Sequence, residues 1–68
     1  MIGENIRYRR IKAGLSQEKL ARLANISLNT LTKIESGFAK RPTIQTVAKL
    51  AKALKVSLDD LVIRINDV

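Results

Sequence analysis

The chain contains no cysteine and no histidine. That excludes disulfides, thiolate nucleophiles and zinc fingers, and it removes the commonest general base. Acidic residues are few, six Asp and Glu against thirteen Lys and Arg. They show no metal-ligand spacing, and Asp59-Asp60 read as helix-start residues. There is no glycine-rich phosphate loop and no apolar run near the roughly 20 residues of a membrane span. The N-terminus lacks the apolar core of a signal peptide, so Asn25-Ile26-Ser27 reads as a helix start and not as a glycosylation site. The expectation is a non-enzymatic chain with no cofactor, no metal, no membrane contact and no evident small-molecule effector. Such a chain suits a reducing cytoplasm.

What is present is positive charge. A net charge of +7 on 68 residues is large, and it is unevenly spread. Residues 1–41 hold nine Lys and Arg against three acids, a balance of +6, whereas residues 42–68 hold four against three, a balance of +1. Charge concentrated in one half suggests a polyanionic partner, against the plainer reading of solvated helix faces.

Start and stop signals divide the chain into five short helices, expected at about 2–13, 17–24, 28–36, 44–55 and 58–62. A short tail, 63–68, follows, and the whole reads as one all-α domain over 1–68. Ile2, Ile6 and Ala13 face inward on the first helix, which Gly14 ends. Ser16 and Ser27 cap the second and third, and Asn25 between them tolerates left-handed backbone. Leu20, Ala21 and Ala24 form the buried side of the second helix. Pro42 disfavours helix at Arg41, and Thr43 restarts the chain. Ile44, Val47, Leu50, Ala51 and Leu54 form the clearest amphipathic stripe, with Lys49, Lys52 and Lys55 solvated beside it. Ser57 caps the fifth helix. Val62-Ile63-Arg64-Ile65 reads either as its extension or as a short β-branched strand.

Residues 17–36 are the most informative stretch, two short helices joined by a tight turn. Leu31 and Ile34, three apart, bury one face of the second of these. The other face would present Ser27, Leu28, Asn29, Thr32 and Lys33 to a DNA major groove. Lys can donate to guanine O6 and N7, Asn can pair with adenine, and Leu or a Thr methyl can meet a thymine methyl. Leu28 has core packing or a protein interface as its alternatives, and Lys33 simple solvation. The helix starts at Ser16-Gln17 and Ser27-Leu28 offer unpaired N–H groups to phosphates.

GENIRYRRIKAGLSQEKLA, TKIESG and KRPTIQTVAKLAKAL together resemble the phage-repressor and Cro type of helix-turn-helix protein, the xenobiotic-response-element (XRE) family. The likeness spans residues 2–62, with R-x-x-x-G-L-S-Q-E-x-L-A, I-E-S-G and V-S-L-D-x-L as its motifs. It implies a five-helix bundle that binds double-stranded operator DNA, usually as a two-fold dimer. By the same resemblance Gln17 holds a phosphate and braces the start of the recognition helix. Ser36, Lys40 and Arg41 fall at backbone-contacting positions. Arg10 and Glu35 match an internal salt bridge, and Arg10 has a phosphate contact as its other role. Asn25 replaces the usual turn glycine, Leu28 stands where relatives often carry Gln, and Phe38 replaces a cation and is expected to pack under its loop.

The reading is therefore a sequence-specific transcriptional regulator, a repressor of a palindromic operator. Leu61, Val62, Ile63 and Ile65 are its expected homodimer surface, with closure of the monomer core as the alternative. The rival function is a protein-interaction module, a bridging factor or antitoxin built on the same fold.

Overall fold

Ser16, Ser27 and Thr43 each sit in extended backbone, and each accepts the N–H three residues on at its side-chain oxygen, starting a helix. The computed structural model describes residues 2–62 and shows five helices and no strand among them: α1 (Ile2–Lys12), α2 (Gln17–Ala24), α3 (Leu28–Ser36), α4 (Ile44–Leu54) and α5 (Leu58–Val62). Ser57 and Asp60 form a reciprocal cap at α5. The Asp60 N–H donates to Ser57 Oγ at 3.1 Å, and the Ser57 N–H donates to Asp60 Oδ2 at 3.0 Å.

The helix ends are as local as the starts. Gly14 and Gly37 take positive φ, 76° and 87°, where a side chain would be strained. Asn25 is left-handed too, at φ 58° and ψ 46°, and its N–H returns to the Arg22 carbonyl at 3.1 Å. Lys55 takes the same conformation at φ 60°, so α4 stops at Leu54, one residue before the expected end. A lysine there gives no signal of a helix stop.

The core forms where the amphipathic faces meet. Ile6, Leu20, Leu31, Ile34, Leu50 and Leu61 are its largest fully buried side chains, with Ala21, Ala24, Val47, Ala51 and Leu54 beside them. α2 packs on α3 and α4, and α1 packs on α3 and α5. Small residues set these distances. A Cβ at Gly3 would drive into the Ile34 carbonyl oxygen, so α1 approaches the backbone of α3 as only glycine permits. Asn5 closes the far side, its Nδ2 donating to the carbonyl oxygens of Asp60 (2.6 Å) and Leu61 (3.1 Å).

Three expectations are corrected. Ala13 is exposed, because α1 ends at Lys12 and Ala13 lies in the turn. Ile44, one turn ahead of Val47, is 64% exposed and does not join the buried stripe. Leu61 is 1% exposed inside the monomer, packed in the same cluster as Ile6, so it cannot line a dimer surface. The side chain of Val62, and Ile63 and Ile65 altogether, lie outside the described residues.

Candidate nucleic-acid interface

α3 turns Leu31 and Ile34 inward and leaves a mostly polar face outward, with Leu28 as its apolar member. Its only acid, Glu35, also turns inward, with a side chain just 2% exposed. That carboxylate is held from two other helices. Arg10 Nε donates to Oε2 at 2.7 Å and Arg10 Nη2 to Oε1 at 3.1 Å, while Gln17 Nε2 donates to Oε1 at 3.0 Å. Arg10 Nη1 continues to the Leu15 carbonyl at 2.8 Å. One buried acid thus binds α1, the α1–α2 turn, α2 and α3 into one frame, and a charge so enclosed needs this many partners.

Gln17 therefore braces the last turn of α3, not the first as expected. The resemblance placed that brace at the start of α3, whereas the fold brings Glu35, near the end of α3, beside Gln17. Its Nε2 keeps a second hydrogen that Glu35 does not use. Arg10 is 11% exposed, and three of its five N–H groups are taken. Any further contact of Arg10 falls to the two left on Nη1 and Nη2.

On the outward face, Asn29 and Lys33 are exposed, Leu28 is more exposed than buried side chains of the core, and Thr32 is half-buried. Leu28 is therefore not a core residue. The Thr32 hydroxyl donates to the Asn29 carbonyl at 2.9 Å, so its hydrogen is committed within the helix. Ser27 Oγ accepts the Thr30 N–H and donates to Thr30 Oγ1 at 2.8 Å, which makes it a cap first. Ser16 Oγ accepts the Lys19 N–H at 3.0 Å and retains its own hydrogen. The Ser36 hydroxyl donates to the Lys33 carbonyl at 3.1 Å and accepts the Phe38 N–H at 3.3 Å. A phosphate contact by Ser36 would require that hydroxyl to turn.

Beyond α3 the chain folds back, with the Ala39 N–H donating to the Lys33 carbonyl at 2.9 Å. Lys40 and Arg41 follow on this loop and are exposed. Phe38 does not pack under it. The ring is 79% exposed, and Lys33 Nζ lies 5.9 Å from its centroid. The face carries cations at 33, 40 and 41 on a framework pinned by a buried ion pair.

A family model described as helix-turn-helix matches residues 6–61, nearly the whole of this five-helix core. The chain belongs to the XRE-type helix-turn-helix family. Among XRE-type relatives, the HTH-type transcriptional regulator SlrR of Bacillus subtilis (strain 168) is 38% identical over 61 residues, covering 90% of this chain and 40% of SlrR. A chain of the solved SinR protein/SinI protein complex matches with a TM-score of 0.88 and 34% identity, over 91% of this chain and 60% of that one. The present chain thus spans less than two thirds of either relative. No helix among the described residues is long and apolar enough to cross a membrane.

Proposed function

We propose that this domain binds double-stranded DNA in a sequence-specific transcriptional regulator, with α3 in the major groove. The observation that carries the reading is the inward lock on Glu35. It leaves α3 facing outward with Asn29, Thr32 and Lys33 and without a carboxylate to repel phosphate. Lys33, Asn29, Leu28 and the Thr32 methyl are the base readers, with Ser27 at the helix start. Lys40 and Arg41, the free Gln17 hydrogen, Ser16 and Ser36 serve the phosphates, with Arg10 contributing through its remaining N–H groups. SlrR, by its name a transcriptional regulator, supports the same assignment.

The finer reading is a repressor acting in the cytoplasm on a palindromic operator as a homodimer. One such domain reads only a few base pairs, and a dyad places two α3 helices about 34 Å apart on one DNA face. Leu61 is committed to the core and takes no part in that dimer contact. A second reading, a protein-interaction module, rests on the SinR protein having been solved with the SinI protein.

Titration of a labelled random duplex by fluorescence anisotropy across salt concentrations separates the two. The DNA-binding reading requires affinity that falls steeply with salt, by about 0.9 in log–log slope for each phosphate contacted. An absence of binding at low salt would leave only the interaction module.

A further inference from the structure

Phe38 is the most exposed large apolar side chain of the described residues, and it sits on the cationic face beside Lys33. Its placement is built into the backbone. Gly37 turns the chain with φ 87°, the Phe38 N–H is held by Ser36 Oγ, and the Ala39 N–H is held by the Lys33 carbonyl. The loop is thus tied to the same residue whose ammonium lies 5.9 Å from the ring centroid. An exposed lysine ordinarily samples many rotamers, and the electron-rich face of a phenyl ring attracts a cation and narrows that choice.

We propose that Phe38 is a positioning residue that sets the base preference of Lys33 by holding its ammonium over the ring face. The inference rests on the DNA-binding reading and deepens it. A carboxylate at position 38 would also hold Lys33, but it would cancel the lysine's charge and repel the phosphates that Lys40 and Arg41 are placed to meet. The ring holds the cation and leaves its charge available to guanine O6 and N7. Docking on DNA removes water from the pair, which strengthens the attraction where the base is read.

The test compares the site selected by the full chain with the same duplex changed at the base pair whose preference depends on Lys33. Phe38→Leu keeps an apolar side chain of similar bulk without the π face, and Phe38→Trp keeps the face. The substitutions lie on an exposed loop, and thermal melting followed by circular dichroism verifies that the fold persists. Phe38→Leu should lower discrimination at that base pair about three- to tenfold, with random-duplex affinity unchanged. Phe38→Trp should retain the discrimination, and Phe38→Leu should have no further effect in a Lys33→Met background. Unchanged discrimination in Phe38→Leu, an equal loss in Phe38→Trp, or the same further loss without Lys33 would overturn the inference. A wild-type chain with no base preference at all would sink the DNA-binding reading and this inference with it. A wild-type preference indifferent to Phe38→Leu would sink this inference alone.

Discussion

Arg10 and Glu35 meet side-on across the helix bundle, Nε to Oε2 at 2.7 Å and Nη2 to Oε1 at 3.1 Å. The pair ties the last turn of α1 to the last turn of α3, and it is nearly closed to water. Arg10→Ala would leave the Glu35 carboxylate buried with Gln17 as its remaining partner. The expected loss is about 3 kcal/mol in urea unfolding, and about the same for Glu35→Ala, which strands the guanidinium. Replacing both, Arg10→Met with Glu35→Leu, should cost less than either single change, because no charge is left uncompensated. If the double variant is as unstable as the sum of the singles, the pair is not the unit described here.

Gly3 makes a second, steric prediction. Alanine favours helix over glycine by about 1 kcal/mol, so Gly3→Ala should stabilise α1 if propensity ruled. The built Cβ instead meets the Ile34 backbone, which cannot swing away as a side chain would. Gly3→Ala should therefore lower stability by about 1–3 kcal/mol, as overpacking does, and loosen α1 from α3. Gly14→Ala meets no neighbouring atom but must adopt positive φ, so its cost should be limited to about 1–2 kcal/mol of backbone strain. Thermal melts of both variants check the contrast.

Much of this architecture is legible in the chain because its helix signals are local. Ser16, Ser27 and Thr43 mark starts, Gly14 and Gly37 mark stops, and Asn25 supplies the left-handed turn. What the sequence hides depends on distant neighbours. The burial of Leu61 follows from α5 returning to α1, where Asn5 holds its carbonyls, and an apolar run near a chain end reads equally as an interface. Ile44 keeps the period of its stripe yet, as the first residue of α4, lies ahead of the buried part of that helix. Lys55 ends α4 in a conformation its side chain does not advertise. The outward face of α3, proposed to read bases, was legible as a pattern of exposed positions. The place of Phe38 was not, because a loop's fold depends on individual hydrogen bonds such as that from Ala39 to Lys33.

The α5 cap predicts a response to acid. Hydrogen bonds from the Ser57 backbone N–H and the Ser57 side chain, with the charge of Arg9 adding to them, hold the Asp60 carboxyl below its ordinary pKa. A carboxyl depressed in the folded state stabilises it above the unfolded value, near 4, and that contribution is lost as pH falls through the lower folded value. The melting temperature should therefore decline below about pH 4, and Asp60→Asn should lower it at neutral pH while flattening that part of the decline. Equal slopes in the two proteins would refute the cap's role.

Lys40 and Arg41 lie on the exposed loop and are assigned to phosphates, which carry no base identity. Lys40→Ala and Arg41→Ala should each weaken operator and random duplexes alike and reduce the log–log salt slope by about one. A variant that changes base preference while leaving the slope intact would reassign its residue to the groove.

The central claim is that α3 reads base pairs, and selection from a random duplex library with the wild-type chain and Lys33→Ala tests it most directly. The account predicts that the wild type enriches a two-fold symmetric site. Lys33→Ala should enrich the same site with preference relaxed at one base pair per half-site and binding weakened by about 1–3 kcal/mol. Enrichment of an identical, equally sharp site by both proteins, or of no site by the wild type, would contradict it.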